Sequence, residues 1–503
     1  MTTTILGISS GFHDASVSLI NTDGEILFAG HAERYSKIKH DRYINDDLIS
    51  DALKRIPIGS LLEVVYYENI YKKKARQLYS GQLTDFTSEP FSVYAHIKKY
   101  APVFAQTIYD YCIQVSTVDH HQSHAAAGFQ TSPYNRATVV VIDAIGEWDT
   151  ISIWGAQYNN NQAVYKKLWS QKYPHSIGLL YSAFTKRLGL RPMDEEYILM
   201  GMAGWGEPKY TVDIHDRFVG YDYLTLQDNV HVGINDHYLS DAKDFDIACS
   251  IQAEAESMIG AVMRKAADFA WSDNLVYMGG VALNCSANRL LGAYFNNVWI
   301  MPNPGDAGSS LGAAAFRLKR RLNWTNAYLG RDIPGPYPVN DILNELDSNK
   351  IVGVASGCAE FGPRALGNRS LLADPRGPEI KDRVNEIKRR QKFRPFAPVI
   401  LAEMADQYFD MPPGWDRSPY MQTVALCKYP NKYPAIVHCD GTSRVQTVEA
   451  DGSGIRQLLE AWYARTGCPM LLNTSLNIRG EPMVNDRADA DRFEQLYKVK
   501  VCS

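Results

Sequence analysis

His120 and His124 stand four residues apart in the segment VDHHQSHAAAGF. On a helix this spacing puts both imidazoles on one face, where they can converge on a single cation. Imidazole suits zinc, iron, manganese and similar divalent ions. Two such ligands need partners from elsewhere. Asp143 ends an apolar strand and Asp306 sits in the glycine-bracketed loop NPGDAGSS, so both can point carboxylates into a cleft. His121 faces another side of the helix and reads as structural. A His-x-x-x-His pair is common in helices without metal, so core hydrogen bonding is the competing explanation.

A second chemistry is written in small residues. Gly279 and Gly280 follow an apolar strand and precede Asn284. Such a turn lets a nucleotide approach the backbone, and the following helix start offers N–H groups to an anion. The loop from Gly305 to Ser310 repeats that logic. A third chemistry is basic. Arg364, Arg369, Lys388, Arg390, Arg394 and Arg444 all border turns or apolar strands in the last third of the chain. Arginine grips phosphate with a planar fork, whereas lysine acts as a point charge. Ser475 and Asn477 could add neutral hydrogen bonds, giving an arrangement suited to a triphosphate plus a small anion. Lys381, Arg383 and Arg389 read instead as a solvated helix face.

These residues need elements to position them. Ile5 to Ile20 reads as strand, turn, strand, and VVVIDAIGEWDTISIW from Val139 to Trp154 repeats that form. The pair marks either a duplicated α/β core with a cleft between its halves or a chance likeness of two hairpins. Helices are expected from His120 to Gln130, from Ser176 to Leu188 and from Asp246 to Trp271, and a strand from Val298 to Met301. The Gly- and Pro-rich stretch LGRDIPGPYP, Leu329 to Pro338, reads as a linker before a strand-rich C-terminal region. With 503 residues, two or three domains are expected, here 1–330 and 340–503.

Composition bounds the partners. Lys and Arg total 52 against 56 Asp and Glu, a formal charge of −4. Charge-driven binding of long nucleic acid needs a basic excess that is absent here, and the run KRRQK is too short to supply it. Eight cysteines without a CxxC pair suit a reduced interior. The N-terminus lacks a basic leader, and no run approaches the length of a membrane span. The expectations are cytoplasmic location and no membrane partner.

The ordered motifs GFHDAS, AERYSKIKH, DHHQSHAAAGF, DAIGEW, SIGLLYSAFT, GGVALNCSAN, NPGDAGSSLG, EFGPRALGNRS, FRPFAPV and LLNTSLNIRGEP run through nearly the whole chain. In them the sequence resembles the O-carbamoyltransferases of nodulation-factor and antibiotic biosynthesis. That resemblance implies an α/β protein with a duplicated actin/Hsp70-like ATPase-type domain followed by a YrdC-like α/β domain. It implies that the C-terminal site forms carbamoyl adenylate from ATP and carbamoyl phosphate. The N-terminal site would then transfer the carbamoyl group to an acceptor hydroxyl.

By the same resemblance, His120, His124, Asp143 and Asp306 match metal ligands, with iron(II) the native ion and manganese, zinc or magnesium acceptable to the same set. His13 matches the catalytic histidine. Lys39, with Gly279, Gly280 and Asn284, matches the carbamoyl-adenylate site of the N-terminal domain. Arg364, Lys388, Arg390, Arg394, Arg444, Asn473 and Ser475 match the ATP and carbamoyl-phosphate site. Asp14 and the segment from Met193 to Lys209 are expected to border the acceptor, a small-molecule, sugar or natural-product alcohol. A hydroxymethylated nucleobase is the alternative acceptor and the one route to a nucleic-acid partner. Threonylcarbamoyl transfer to tRNA, sugar phosphorylation and a non-enzymatic scaffold are rival functions. Net acidity and the FRPFAPV and GPRALGNRS motifs oppose the first, the histidine pair and basic C-terminal region the second, and the many polar motifs the third.

Overall fold

The computed structural model describes residues 3–391, 393–394 and 396–503. The chain forms two compact units. The first holds the chain up to Leu179 with Val262–Leu283 and Asn297–Gly330, and the second holds Leu180–Ala261, Asn284–Asn296 and Arg331–Ser503. The stretch read as a linker overlaps a strand, Tyr328–Ile333, in which the chain passes for the last time from the first unit to the second. Its sequence, YLGRDI, has no apolar–polar alternation, and the neighbouring Gly and Pro residues read as a turn. Leu180–Ala261 and Asn284–Asn296, expected within 1–330, belong to the second unit. No helix among the described residues is long and apolar enough to cross a membrane.

The first unit is a mixed α/β fold that builds one five-stranded pattern twice. Strands β1 (Thr3–Ser9), β2 (Ser16–Asn21), β3 (Ile26–His31), β4 (Leu61–Tyr66) and β5 (Cys112–Thr117) lie in the order β3-β2-β1-β4-β5. Strands β6 (Arg136–Gly146), β7 (Asp149–Asn159), β8 (Gln162–Lys172), β9 (Asn274–Met278) and β10 (Asn297–Trp299) lie in the order β8-β7-β6-β9-β10. In each sheet the first three strands are antiparallel and the last two run parallel to the first. The two hairpins legible in the sequence open these two sheets. β6 is buried from Ala137 to Gly146, as a strand covered on both faces must be, which explains its unbroken apolar run.

Each sheet is followed by a helix rich in small residues. His120–Thr131 follows β5 and packs on β6, β7 and β9, while Ser309–Leu318 follows β10 and packs on β1, β2 and β4. The helices also pack on each other. Their approach is close because Gly312 has no side chain: a Cβ there would stand 1.8 Å from the Ser123 carbonyl oxygen. Ala125, Ala126, Ala127, Ala313, Ala314 and Ala315 are buried around the crossing. Ser18 and Ser310 share a 2.8 Å hydroxyl hydrogen bond, and the Ser16 hydroxyl donates to the Ala307 carbonyl at 2.6 Å. These bonds fix the second helix, and with it the loop carrying Asp306, against the first sheet.

The second unit is built on a six-stranded mixed sheet. Its order is Gln446–Val448, Ala397–Leu401, Met470–Ser475, Arg369–Ala373, Ile351–Ala355, Val501–Cys502. The amphipathic helices Val339–Asn349, Gly454–Thr466 and Arg487–Tyr497 contribute Leu346, Trp462 and Phe493 to its core. Asp486 and Asp489 form a reciprocal capping box that starts the last of these. A smaller sheet of Phe409–Asp410, Val424–Cys427 and Thr442–Arg444 carries Arg444 at its end.

The helix crossing makes a direct prediction. Gly312→Ala places a methyl group where the Ser123 carbonyl stands, and such overpacking costs about 1–3 kcal/mol. The variant should unfold at a lower temperature than the parent in a thermal melt, and an equal midpoint would contradict the close crossing.

Candidate metal centre and anion site

His120 and His124 lie one turn apart at the start of the His120–Thr131 helix, and both are fully buried. Asp143 reaches them from the end of β6 and Asp306 from the single turn before the Ser309–Leu318 helix. His120 Nε2 stands 3.0 Å from Asp143 Oδ2 and 3.4 Å from Asp306 Oδ1. His124 Nε2 stands 3.5 Å from Asp143 Oδ2 and 3.3 Å from Asp306 Oδ1, and the two Nε2 atoms are 3.1 Å apart. Four residues thus turn one ligand atom each toward a common point.

The donor set fits a divalent cation. With metal–ligand bonds of about 2.1 Å, adjacent ligand atoms stand roughly 3.0 Å apart in an octahedral shell and 3.4 Å in a tetrahedral one. Asp306 is 2 % exposed, yet neither of its oxygens makes a hydrogen bond, and the Nδ1 atoms of His120 and His124 make none either. A buried carboxylate without hydrogen bonds is costly unless a positive charge sits against it. Without a metal, protons supply that charge. Burial disfavours imidazolium, but Asp306 and Asp143 outweigh it and hold His120 well above the usual histidine range. His124 is raised by the same carboxylates against the same burial. Burial in turn pushes both carboxyl groups up, but the histidines prevail, holding Asp143 well below its usual range and Asp306 down to about 2.

Backbone geometry defends this cluster. A Cβ on Gly146 would lie 2.4 Å from His120 Cδ2 and 2.6 Å from His121 Cδ2, so only glycine lets both rings pack there. Glu147, next in the chain, accepts from the backbone N–H of His120 at 3.2 Å and of Asn69 at 2.5 Å. It satisfies an otherwise unpaired donor in the first turn of the His120–Thr131 helix. This role of the DAIGEW motif is not legible in the sequence, where a Gly-Glu turn reads as a plain loop. His121 points away, as expected, with Nδ1 2.7 Å from the Ser152 hydroxyl. Burial and the charges of His120 and His124 push it well below the usual histidine range.

His13 borders the cluster. Its Nε2 stands 3.8 Å from Asp306 Oδ2, and its Nδ1 stands 2.8 Å from Asp14 Oδ2. Burial disfavours its charged form, but Asp306 and the Asp14 hydrogen bond outweigh this and push its pKa up to about 9. The other Asp14 oxygen is 2.8 Å from His40 Nδ1, so the carboxylate sits between two imidazoles. Backbone bonds from Gly11 to Arg42 and from Ala15 to Asp41 tie the two loops together. They bring the segment carrying Lys39, itself half-buried, beside the His13 loop. Gly279, at φ +92°, and Gly280 flank the cluster, and the Gly280 N–H donates to Asp143 Oδ1 at 3.2 Å. Asn284 belongs to the second unit, where its amide exchanges hydrogen bonds of 3.0 and 3.1 Å with Gln252.

The second unit gathers the basic residues. Arg364, Arg394 and Arg444 are half-buried and have no ion-pair partner among the described residues. Burial pushes Arg364 down, helped by the positive charges of Arg444 and Arg394, to about 9. Burial and the same neighbours hold Arg390 well below the usual arginine range. Guanidiniums that depress one another in this way lie close enough together to share an anion. Aromatic rings carry two of them: Arg390 lies 3.9 Å from the Phe396 ring centre and Arg394 lies 4.8 Å from that of Tyr197. Tyr197 falls in the segment expected to border an acceptor, and the structure sets it under Arg394.

Other basic residues separate into distinct roles. Lys388 is buried and its ammonium donates to the Ser475 carbonyl at 2.6 Å and the Ser475 hydroxyl at 3.3 Å. Asn473 donates to the Ala365 carbonyl at 3.0 Å and to Gln446 at 2.8 Å, while its Oδ1 is buried without a hydrogen bond. Arg369, grouped with the site arginines by sequence, is fully buried and donates to the carbonyls of Ser356, Gly357, Asn368, Arg331 and Asn485. It holds chain segments together and presents nothing to a ligand.

Comparison with known proteins places the chain in a family. A model of the carbamoyltransferase N-terminus matches residues 4–315, and one of the carbamoyltransferase C-terminus matches residues 343–502. The chain belongs to the carbamoyltransferase family and is a transferase. An uncharacterized protein of Synechocystis is 32% identical, with 97% of this chain and 94% of that protein covered. Nodulation protein NolNO of Sinorhizobium fredii is 30% identical over 96% of this chain and 79% of its own length. Nodulation protein U of Rhizobium fredii is 39% identical over 45% of this chain and 42% of its own. Among solved structures, the activator of the 2-hydroxyisocaproyl-CoA dehydratase from Clostridium difficile with bound ADPNP aligns over 63% of this chain and 94% of that one. Its identity is 12% and its TM-score 0.33, a likeness too slight to bear on fold or function.

The raised histidines set the sign of a pH effect. The carboxylates favour the protonated forms of His120 and His124, so a cation competes with protons to bind. Metal affinity should therefore keep rising with pH above the ordinary histidine range, until the raised imidazoles have lost their protons. Calorimetric titration with Mn²⁺ in two buffers of different ionisation enthalpy should show proton release, and a pH-independent affinity would exclude this cluster as the binding site.

Proposed function

We propose that this chain is an ATP-dependent O-carbamoyltransferase with two dissimilar sites. One observation carries the reading. The His and Asp cluster lies wholly within the span of the N-terminal family model, and the arginine group lies wholly within the C-terminal one. The repeated sheet order supports an actin/Hsp70-like architecture for the first site's unit. The mixed sheet that carries Ser475, with Lys388 at the end of the helix Ile380–Lys388 and Arg390 just beyond it, supports a YrdC-like one for the C-terminal region.

In the basic site, Arg364, Arg390, Arg394 and Arg444 bind the phosphates of ATP and of carbamoyl phosphate, and Lys388 with Ser475 orients them. With one water consumed, the substrates give carbamoyl adenylate, phosphate and pyrophosphate. Guanidiniums that repel one another when empty gain most from an anion that spreads its charge over several oxygens.

In the acidic site, His120, His124, Asp143 and Asp306 would hold a divalent ion, iron(II) by family resemblance. When bound, it supplies a Lewis acid to a carbamoyl or phosphate oxygen. His13 accepts the acceptor's hydroxyl proton at Nε2, while Asp14 holds Nδ1 and so fixes the ring and its tautomer. Burial disfavours the charged form of His13, but Asp306 and Asp14 raise its pKa to about 9, so its proton-accepting form grows as pH rises toward that value. The carbamoyl group passes to the hydroxyl oxygen and AMP leaves. A formal charge of −4 favours a small alcohol over long nucleic acid as acceptor.

Two variants separate the half-reactions. His13→Asn should reduce transfer from supplied carbamoyl adenylate by roughly 100-fold. It should leave carbamoyl-phosphate-dependent exchange of labelled pyrophosphate into ATP intact. Arg364→Ala should do the reverse, raising the KM of exchange by about tenfold or more. Exchange that does not need carbamoyl phosphate, or transfer that survives in His13→Asn, would refute the scheme. A panel of sugar, aminoglycoside and polyketide alcohols, read by mass spectrometry for one added carbamoyl group, identifies the acceptor class.

A further inference from the structure

Arg364 projects from an irregular turn, residues 361–368, between the strands Gly357–Glu360 and Arg369–Ala373. A loop of that length is ordinarily a soft mount for a binding residue. This one is fastened along its backbone. The N–H groups of Leu366, Asn368 and Arg369 all donate to one oxygen of Glu360, at 2.8, 2.9 and 3.1 Å. On the carbonyl side, Ala365 accepts from Asn473 at 3.0 Å, Leu366 from Gln446 at 2.9 Å and Gly367 from the Tyr337 hydroxyl at 2.9 Å.

Glu360 is 1 % exposed. A carboxylate this deep normally needs a cation, and Arg369 follows within the same turn. The five carbonyls that occupy the Arg369 guanidinium show that it does not serve. Three converging backbone dipoles stabilise the Glu360 charge instead, as they would a bound anion. The turn is wrapped around the carboxylate, and its shape depends on that oxygen.

We propose that Glu360 is a positioning residue for the anion site, acting through Arg364. It fixes the turn so that the Arg364 guanidinium meets the substrate phosphate without first being ordered. The proposal rests on Arg364 binding phosphate, as argued above. Substrate binding then recovers no ordering cost from a mobile loop, and loss of the clamp shows as weaker binding, not slower chemistry.

The test is a double-mutant cycle on pyrophosphate exchange using Glu360→Gln, Arg364→Ala and the pair. The amide oxygen of Gln still accepts the three N–H groups, without the charge, so the variant keeps the contact and weakens it. Glu360→Gln should raise the KM for ATP and carbamoyl phosphate roughly tenfold at little cost in kcat. In an Arg364→Ala background it should add almost nothing, because the residue it positions is gone. An unchanged KM in Glu360→Gln, or an equal further loss in the double variant, would overturn the proposal. Unchanged exchange in Arg364→Ala alone would instead refute the phosphate-binding role of Arg364. If Glu360→Gln does not fold, Tyr337→Phe, which releases only the Gly367 carbonyl, enters the same cycle, with a KM rise that vanishes without Arg364 as the supporting result and additive losses as the refuting one.

Discussion

The contact on which the first unit depends is the crossing of two helices at Gly312 and Ser123. A side chain of any size at Gly312 would hold the helices apart, and the loops at their starts would part with them. Those starts carry His120 and His124 on one side and Asp306 on the other. Alanines around the crossing keep the approach close along its length. The site geometry is therefore a property of packing volume first and of ligand chemistry second.

The two sites mirror each other electrostatically. The first presents carboxylates whose negative charge is balanced only by protons shared with imidazoles. The second presents guanidiniums that lower one another's basicity for want of an acid. In each, like charges gathered in a buried setting are costly unless an opposite charge meets them. A folded chain tolerates such places where stability has been exchanged for binding.

Much of this was legible in the sequence, and for physical reasons. The i, i+4 histidines, the two strand-turn-strand units and the order of the Gly-rich turns are local patterns, and local patterns survive folding. The likeness of the opening hairpins proved to be a repeat of the whole five-strand order. Four things were not legible. Arg364 and Arg369 lie in one motif and look alike, but only tertiary contacts decide that Arg369 meets carbonyls while Arg364 lies near Arg394 and Arg444. Asn473 reads as a ligand-binding amide, whereas its donors fasten the Arg364 turn and Gln446. The Glu147 and Glu360 carboxylates act on backbone N–H groups, which no residue pattern announces. The strand Tyr328–Ile333 hides beside prolines because its pairing partner lies elsewhere in the chain.

The duplication of the sheet has one more consequence. His120 and His124 belong to the helix that closes the first repeat, while Asp143 belongs to the first strand of the second and Asp306 to the turn that opens its closing helix. Each closing helix packs against the other repeat's sheet. Neither repeat is a finished object: each lends its last helix to its twin, and a cation among the four side chains would be a rivet through the seam. Gene fusion of two such halves would thus be more than a convenience of linkage, because a repeat expressed alone would lack both its lid and half of its ligands.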